Sequence, residues 1–590
     1  ETVSLVFEKK CWLSEYGRST ATGEDWQMPT TNEMVVRTLI ESGVKRAFTL
    51  PGLGVTWSLP AFYDAKDDFD VVLCRNEWIA SIMAQAAGRI EGKPSVLMGQ
   101  GPWITTMGGI GILEAYFAGS PMVVLTETSD YDGYGQMGCY QTMTGDYGGA
   151  NALASLKPIT KYATYATSPE EAVFGTQMAV KHASLPRMGP AAVVMKTSII
   201  RQDFPEDAKP LVYPSPGYLS YTPSRPDPAA VAQLAELLDN AKRPVIVAGN
   251  GVVAAKAGGA LQALAEKAGI MVVTSYNAKG VIPETSLICA GMMGTWGHRT
   301  ANRVVAQADL LLMLGASMAP DYTRFRDPEM IRPGDQTLVQ VDIDPRNAGW
   351  VYPVDQAITG DVADVLKILE EIGLSEERAN ARTEAGMDIK TRNGYFDIPD
   401  LPAAQGTVHH TDVVRGLQEF LGPDDILALD AGAQRIWATF GLRMPHAGQL
   451  LVPGGTGVMG WGGPAAAVAK ILRPHKRVTC LAGDGGFMMT VQVLPTAVQQ
   501  NLDVVFVVSN NSGLGMVRDN LGKKQIAVDF NDVDFATIAE GMGARGITVY
   551  HRDELHDAIE EAHQMGGPVV VDVKVDPEAS HHEAVDNAPF

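Results

Sequence analysis

The sequence predicts an α/β protein made of three doubly wound parallel-sheet domains. Three observations support this fold class. The chain has 590 residues, a length that suggests about three domains rather than one core. Short apolar runs alternate with helical patterns along most of the chain, which is typical of parallel sheets wrapped by helices. Glycine-rich turns follow several of the apolar runs, where such sheets place their ligand sites.

The first predicted domain spans residues 29–205 and follows an N-terminal arm, residues 1–28. Its candidate strands are RAFTL, DVVLC, PSVLMG and PMVVLTE, with helical stretches such as IASIMAQAAGRIEG between them. A proline-rich segment at 213–228 then ends the domain, because proline resists regular structure.

Two further domains are predicted after this proline-rich segment. The second spans residues 228–375 and carries RPVIVAGNG, IMVVTS, ADLLLMLGAS and TLVQVDIDP. A charged segment separates it from the third domain, residues 408–575, which carries DDILALDAG, RVTCLAGDGG, LDVVFVVSNN and GPVVVDVKVD. Residues 576–590 form an acidic C-terminal tail.

Composition excludes several classes of function. The chain has 68 acidic and 47 basic residues and a net charge of -21, so we expect neither nucleic acid nor an anionic membrane as a partner. No run approaches the ~18 apolar residues of a membrane span. Its five cysteines are scattered without a C-x-x-C pair, and the N-terminal residues show no signal-like apolar run. A cytoplasmic location is therefore expected.

Polar residues follow two neighbouring predicted strands of the third domain. Gly-Asp-Gly follows RVTCLA and contains Asp484, whereas Asn511 follows LDVVFVVS one helix later. Parallel strands end at the same edge of a sheet, so these two side chains are expected to lie close together. Two unrelated strand-capping turns are the alternative interpretation.

The chemistry of these residues suits a metal-bridged diphosphate. Carboxylate, amide and main-chain oxygens are the hard donors that Mg²⁺ prefers, and Mg²⁺ also binds phosphate oxygens. Gly485 and Gly486 let the backbone approach a bulky anion, and the following helix presents its positive end to it.

This pairing resembles the signature of the thiamine-diphosphate (ThDP) enzymes. Over residues 30–575 the chain is most similar to the acetolactate synthase, pyruvate oxidase and pyruvate decarboxylase group. The resemblance implies pyrimidine-binding, central and diphosphate-binding domains, in that order. It further implies that Asp484, the Asn511 side chain and the Gly513 carbonyl hold Mg²⁺, with Gly485 and Gly486 against the diphosphate.

The resemblance assigns further residues to the cofactor. They are Gly52 in LPGLGV, Ala433 and Gln434 in LDAGAQRIW, Gly457 and Met459 in PGGTGVMGWGGPAA, and Met516 in GMVR. The Gly457 carbonyl would accept from the aminopyrimidine, and Met459 would bend the cofactor into its V shape. Core packing is the alternative role for Met459.

Glu77 is the catalytic acid that the resemblance implies. In this family a carboxylic acid from a neighbouring subunit protonates the pyrimidine ring. Glu77 follows the apolar run FDVVLC and begins a helix with apolar residues, so partial burial is expected to favour the neutral acid. An exposed glutamate attracted by the helix dipole is the alternative.

Three residues are candidates for contact with substrate. Gln141 in CYQT matches a glutamine near the reacting carbonyl in the acetolactate synthase group and is a catalytic candidate. Gln100 and Trp103 in GQGPWITT are candidates for the substrate pocket, with packing as the alternative.

The function implied is that of a ThDP- and Mg²⁺-dependent lyase or carboligase acting on a small carbonyl substrate. A homodimer or homotetramer with active sites between subunits is expected. An FAD-linked 2-oxo acid oxidoreductase and a 2-hydroxyacyl-CoA lyase are the alternatives. FAD remains open, because GMMGTWGH and VDIDPRN resemble flavin-lining segments.

One segment departs from the acetolactate synthase pattern. Ser317 and Asp321 in GASMAPD stand where that group has arginines, so a substrate carboxylate lacks its natural partner. A substrate without a carboxylate is therefore favoured. His409 and His410, in the turn-like GTVHHTD, are expected at the surface.

Overall fold

The computed structural model describes residues 18–19, 26–129, 143–145, 149–208, 212–221 and 223–584. The chain divides into two compact units, residues 1–222 and 223–590. The described residues contain three six-stranded sheets, one in the first unit and two in the second. Every strand pair within these three sheets is parallel and helices flank them, which confirms the predicted fold class.

The first unit contains one parallel sheet and a short antiparallel strand pair before it. The pair is β1 (Arg18–Ser19) and β2 (Trp26–Gln27); the sheet has the order β4-β3-β5-β6-β8-β7 and consists of β3 (Arg46–Thr49), β4 (Asp70–Leu73), β5 (Ser95–Gln100), β6 (Met122–Thr128), β7 (Tyr162–Ala166) and β8 (Pro190–Lys196). The helices are α1 (Thr31–Glu41), α2 (Leu53–Thr56), α3 (Leu59–Asp64), α4 (Glu77–Glu91), α5 (Gly101–Thr105), α6 (Gly109–Ala118), α7 (Ala152–Leu156), α8 (Pro169–Ser184), α9 (Thr197–Ile200) and α10 (Pro216–Leu219). The central strands β5 and β6 are almost wholly buried, because helices cover both faces.

The second unit begins with a sheet of order β11-β10-β9-β12-β13-β14. Its strands are β9 (Pro244–Ala248), β10 (Met271–Thr274), β11 (Cys289–Met292), β12 (Leu310–Leu314), β13 (Thr337–Asp342) and β14 (Gln356–Thr359). The helices here are α11 (Pro228–Asn240), α12 (Asn250–Ala254), α13 (Gly258–Ala268), α14 (Arg299–Ala306), α15 (Val362–Ile372) and α16 (Ala379–Asn393). The last of these helices occupies much of the charged segment between the second and third predicted domains.

The third sheet follows in the same unit and has the order β16-β15-β17-β18-β20-β19. Its strands are β15 (Asp425–Leu429), β16 (Leu450–Leu451), β17 (Arg477–Gly483), β18 (Val504–Asn510), β19 (Arg545–Val549) and β20 (Val569–Lys574). The helices are α17 (His410–Phe420), α18 (Ala433–Gly441), α19 (Gly462–Leu472), α20 (Asp484–Met489), α21 (Val493–Gln499), α22 (Gly515–Leu521), α23 (Phe535–Gly541) and α24 (Leu555–Met565).

Buried polar contacts join the second sheet to the third. Lys279 donates to both carboxylate oxygens of Glu284 at 2.8 Å, and the same carboxylate accepts from the backbone N–H of Met444 at 2.8 Å. His298 accepts from the Met292 N–H through Nδ1 and donates through Nε2 to the Phe440 carbonyl. These hydrogen bonds hold Phe440 near the end of α18 and Met444 just after it. They therefore fix the carboxyl end of α18 against the second domain.

Three cysteines of the described residues, Cys74, Cys289 and Cys480, are buried free thiols. Cys11 and Cys139 lie outside the described residues. Among the helices that the structure describes, none combines the length and the apolar character needed to cross a membrane.

Candidate active site

The ends of β17 and β18 lie side by side at the carboxyl edge of the third sheet. The two strands are parallel, and Gly483 is in register with Ser509. Asp484 therefore leaves its strand next to the turn that begins at Asn511. The Asp484 Oδ2 atom accepts from the Gly513 N–H at 2.9 Å, so the carboxylate and the turn are in direct contact.

Asp484 is a buried carboxylate with few partners. Its side chain is 5 % exposed, and Oδ1 accepts from the Gly485 N–H at 2.6 Å. Burial raises the pKa of this carboxyl to about 6, while the N–H groups of Gly485 and Gly513 oppose the rise. A bound cation at this position would compensate the charge that burial disfavours.

A cavity of about 350 Å³ opens at this edge. Ten of the residues assigned to metal and cofactor line it: Ala433, Gln434, Gly457, Met459, Asp484, Gly485, Gly486, Asn511, Gly513 and Met516. They come from four separate segments of the third domain. The fold thus brings together residues that are as much as 83 positions apart in the sequence, counted from 433 to 516.

Glycines make room at the floor of this cavity. A Cβ atom on Gly486 would lie 2.5 Å from Asp430 Oδ2, and one on Gly485 would lie 3.2 Å from Leu514 Cδ2 and 3.4 Å from Met459 Cε. A side chain at either position would therefore displace neighbours or fill the space that a ligand needs.

The donor set fits a Mg²⁺ ion that carries a diphosphate. Asp484, Asn511 and Gly513 all line the cavity beside the glycine backbone at the start of α20, and carboxylate, side-chain amide and main-chain carbonyl oxygens are hard donors. No group of three or more His, Cys, Asp or Glu suited to a metal occurs in the described part of the chain. This candidate site relies on a single carboxylate instead.

Asp430 organises the loops around the cavity, and the sequence analysis missed it. Its Oδ1 accepts from the N–H groups of Ala431 at 2.7 Å and Trp461 at 3.0 Å, and Oδ2 accepts from Gly460 at 2.9 Å. The residue is fully buried, and burial raises the pKa of its carboxyl to about 6, against the opposing backbone N–H groups. It ties the loop with Gly457 and Met459 to the end of β15. An acidic residue directly after the buried run DILAL is the signal that could have identified it.

Arg518 holds the turn that carries Asn511. Its buried guanidinium donates to the carbonyls of Ser512 at 3.2 Å and Pro577 at 2.9 Å, and it pairs with Asp529 at 2.8 Å. Ser512 has a positive φ of 53°, a conformation that is uncommon for a serine. The arginine therefore supports an irregular turn at the edge of the cavity.

The expectation that His409 and His410 lie at the surface is wrong. Both are buried, and His410 lines the cavity. His409 caps α17 by accepting from the Thr411 N–H, and His410 Nδ1 lies 3.2 Å from Ser509 Oγ. Burial lowers the pKa of His410 to about 3, and a smaller contribution comes from the neighbouring charge of His409. The expectation failed because polar residues surround this pair in the sequence. In the structure the pair lies at the start of α17, where packing within the third domain buries it.

Glu77 is placed as a buried acid in the first unit. It begins α4 directly after Asn76, whose side chain caps the helix by accepting from the Ile79 N–H at 2.7 Å. The Glu77 residue is 5 % exposed, and burial raises the pKa of its carboxyl, partly opposed by its own backbone N–H. The exposed alternative therefore does not describe this residue.

The other candidates of the first unit lie at the carboxyl edge of its sheet. Gly52 packs on Gln100, since a Cβ on Gly52 would lie 2.1 Å from Gln100 Cδ. Trp103 is half exposed and donates to Gln100 Oε1 at 2.9 Å. The catalytic candidate Gln141 lies outside the described residues.

The glycine-rich turn of RPVIVAGNG and the flavin-like segment GMMGTWGH make backbone hydrogen bonds at the edge of the second sheet. The Gly249 N–H donates to the Leu314 carbonyl at 2.9 Å, and the Gly251 N–H donates to the Gly315 carbonyl at 2.9 Å. In the GMMGTWGH segment the Thr295 N–H donates to the Asp321 carbonyl at 2.8 Å. These amides are the groups that would bind a dinucleotide diphosphate at a switch point, and each is already paired within the protein.

Family models for thiamine pyrophosphate enzymes match three parts of the chain. The N-terminal TPP binding domain matches residues 29–148, the central domain matches 231–369, and the C-terminal TPP binding domain matches 430–573.

Curated relatives match over nearly the whole chain. The "Probable acetolactate synthase large subunit" of Methanocaldococcus jannaschii is 31% identical over 570 residues, which are 92% of this chain and 92% of that protein. The acetolactate synthase large subunit of Corynebacterium glutamicum is 30% identical over 96% of this chain and 89% of its own length. The acetolactate synthase isozyme 1 large subunit of Escherichia coli is 28% identical, with 93% and 94% covered.

Proposed function

This chain belongs to the thiamine pyrophosphate enzymes and is a ThDP-dependent enzyme of C–C bond chemistry, and from that premise we propose its reaction more closely. It is a Mg²⁺-dependent lyase or carboligase that makes or breaks a C–C bond next to a carbonyl. Its substrates are 2-oxo acids, acyloins or 1,2-diketones. The relatives named acetolactate synthase support this reaction class.

One observation carries the proposal. The Asp484 carboxylate accepts from the Gly513 N–H, so the two strand ends are in contact, and Asp484, Asn511 and Gly513 line a single cavity. The same cavity is lined by Gly457 and Met459 on the loop that Asp430 holds. One cavity could therefore bind both the diphosphate end and the apolar ring end of a single ligand.

ThDP supplies an electron sink next to the carbonyl carbon when it is bound. The residues of this chain would bind and orient it: Asp484, Asn511 and the Gly513 carbonyl would hold the Mg²⁺ ion, and Gly485 and Gly486 would lie against the diphosphate. Ala433, Gln434, Gly52, Gly457, Met459 and Met516 would make the remaining cofactor contacts. The apolar side chains of this set would exclude water from the reacting atoms.

Glu77 would hold the proton that activates the cofactor. A carboxyl whose pKa is raised by burial is protonated nearer to neutral pH, which suits a group that donates a proton to a ring nitrogen. Gln141, Gln100 and Trp103 are proposed to contact the substrate.

A homodimer or homotetramer is proposed as the active form. Met488, Met489 and Phe530 are exposed apolar side chains that line a second cavity beside Asp484 and Gly485, and Val517 is an exposed apolar residue that lines the first. Clustered exposed apolar residues mark interaction surfaces. A second copy that supplies Glu77 would cover them, and a monomer in sedimentation velocity under assay conditions would contradict this arrangement.

Neither alternative function is favoured by the structure. The amides of Gly249, Gly251 and Thr295 at the edge of the second sheet are paired within the protein, which disfavours FAD there. We therefore propose a reaction without flavin, and a 450 nm absorbance band in the purified enzyme that substrate bleaches would contradict it. A 2-hydroxyacyl-CoA lyase would need basic contacts for the CoA phosphates, whereas residues 576–590 carry acidic residues and neither lysine nor arginine. The cytoplasm is proposed as its compartment, supported by the free thiols.

The first test separates cofactor activation from substrate choice. Wild-type protein with ThDP and Mg²⁺ should exchange the C2 proton of the bound thiazolium for deuterium, as followed by quenched-flow NMR. Glu77→Gln should slow this exchange by at least about 100-fold, the range of general acid catalysis, and should leave ThDP binding intact. Glu91→Gln, at the far end of the same helix, is the matched control. Equal exchange rates in wild type and Glu77→Gln would contradict the proposal.

A second experiment identifies the substrate. The enzyme is incubated with single 2-oxo acids, 1,2-diketones and acyloins, and products are analysed by mass spectrometry. Turnover of at least one compound that depends on both ThDP and Mg²⁺ is expected. Turnover without ThDP would overturn the assignment.

A further inference from the structure

A group of polar side chains lies at the carboxyl edge of the first sheet, and the proposed function does not use all of it. Thr49 is the last residue of β3, Gln100 is the last residue of β5, and Glu127 is the penultimate residue of β6. The three strands are adjacent in the sheet. Gln100 and Glu127 are partners in the parallel register, and Thr49 is in register with Met98 on β5.

These three side chains project from the same face of the sheet. Ala47, Met98 and Leu125, each two residues before one of them, belong to a single apolar cluster on that face. Side chains alternate along a strand with a period of two, so the polar residues continue this face to the edge. The loop that contains Gly52 covers Gln100 there.

Two atoms of this group lack a hydrogen-bond partner. Glu127 is 2 % exposed and Thr49 is 1 % exposed. Among the residues that the structure describes, neither Glu127 Oε2 nor Thr49 Oγ1 has a partner. A buried polar atom without a partner costs about 1–3 kcal/mol, so two of them on neighbouring strands indicate a place that a polar ligand fills. Gln100 is only partly buried and accepts from the half-exposed Trp103, so the group reaches the protein surface at this residue.

Burial favours the neutral form of the Glu127 carboxyl. Burial raises the pKa of its carboxyl to about 8 and is the one cause of the shift. The elements packed around β6 carry other charged residues: Glu77 on α4, Glu171 on α8 and Lys196 on β8. None of these residues contributes to the pKa shift of Glu127. A carboxylic acid and a hydroxyl both donate hydrogen bonds, whereas the group contains no cation for a substrate carboxylate.

We propose that Glu127, Thr49 and Gln100 form a hydrogen-bonding site for the oxygen of an uncharged carbonyl substrate. The inference rests on the proposed function and deepens it, because it names an aldehyde or ketone, rather than a second 2-oxo acid, as the partner in C–C bond formation. A substrate carboxylate would be desolvated here without a cation.

The test is a competition between two acceptors that differ in a carboxylate. The donor found in the screen is offered acetaldehyde and pyruvate at equal concentration, and both products are quantified by mass spectrometry. Wild type should form the acetaldehyde product in excess. Glu127→Ala should lower the acetaldehyde-to-pyruvate product ratio at least about tenfold, the effect of one lost hydrogen bond of ~1.4 kcal/mol. Glu127→Gln, which keeps a donor, should lower it about threefold or less.

A second variant pair protects the test against misfolding. Thr49→Val should raise the KM for acetaldehyde and leave kcat nearly unchanged. Thr38→Val is the matched control, because the Thr38 hydroxyl already donates to the Met34 carbonyl at 2.7 Å within α1. In infrared difference spectra, addition of acetaldehyde should shift the carbonyl band of a protonated carboxylic acid, and Glu127→Gln should abolish that band.

The outcomes separate this inference from the proposed function. The inference and the proposed function are both supported if every Glu127 variant exchanges the C2 proton at the wild-type rate and Glu127→Ala lowers the product ratio. Wild-type exchange with an unchanged ratio, or a wild-type preference for pyruvate as acceptor, overturns the inference alone. Absence of exchange in the wild type overturns the proposed function.

Discussion

Replacing Asp430 should destabilise the third domain and loosen its cofactor loops. The fully buried carboxylate accepts three backbone N–H groups, from Ala431, Gly460 and Trp461, at 2.7 to 3.0 Å. Asp430→Ala removes both acceptor oxygens and leaves these three N–H donors without their partner. We expect loss of stability and loss of ThDP affinity together, because the same contacts hold the loop that lines the cavity.

The magnitude follows from the number of donors left without a partner. Each buried N–H that loses its acceptor costs about 1–3 kcal/mol. Ala431 lines the cavity, so water can replace one acceptor there. With two donors left unpaired, the expected loss in Asp430→Ala is roughly 2–6 kcal/mol of unfolding free energy. Asp430→Asn keeps one acceptor oxygen but turns an amide NH₂ toward a donor, and it should lose roughly 1–3 kcal/mol.

Urea denaturation followed by far-UV circular dichroism measures these differences, and ThDP titration of the folded variants measures affinity. Asp424→Asn is the matched control, because that side chain is exposed and forms a long ion pair with Lys476 at 3.7 Å. This substitution should change stability by less than about 0.5 kcal/mol. A denaturation midpoint for Asp430→Ala equal to that of the control would refute the role given to Asp430.

Three further predictions follow from contacts described above. Gly486→Ala places a Cβ 2.5 Å from Asp430 Oδ2 and should weaken ThDP binding about tenfold or more; Gly541→Ala, with no atom within 4 Å, should not. Arg518→Met frees the turn that carries Asn511, the proposed amide ligand, and should weaken Mg²⁺ binding about tenfold by calorimetry; unchanged affinity would contradict the role of Arg518. For Glu127→Gln, the variant should gain stability over wild type as pH rises from 5 to 8, by roughly 3–4 kcal/mol. The reason is that a buried carboxyl with a folded pKa of about 8 binds its proton more tightly than the unfolded chain does; a difference that does not change with pH in urea titrations would contradict this.

The fold could be predicted because its signals are local. Buried parallel strands appear as continuous apolar runs, and β12 (Leu310–Leu314) and β18 (Val504–Asn510) are wholly buried. The grouping of Asp484 with Asn511 also needs little beyond the rule that parallel strands end at one edge. The two residues directly follow consecutive strands that are neighbours in the sheet.

Residues that act through tertiary contacts could not be predicted in the same way. Asp430 resembles any polar residue after a strand, and its role depends on three N–H groups of which two lie 30 and 31 positions away. His410 stands in a polar stretch, yet packing under the third sheet buries it. Glu127 ends an apolar run like many surface residues, and only the sheet places it beside Gln100.

Magnesium-dependent ThDP binding is the most direct test of the central claim that Asp484 and the turn from Asn511 to Gly513 form one cofactor-binding site. Isothermal titration with and without Mg²⁺ is compared for wild type, Asp484→Ala and the exposed control Asp557→Asn. Wild type and control should bind only with Mg²⁺, and Asp484→Ala should bind at least about 100-fold more weakly, the ~2.7 kcal/mol of one charge-assisted contact. Binding by Asp484→Ala with wild-type affinity and the same magnesium dependence would contradict the site.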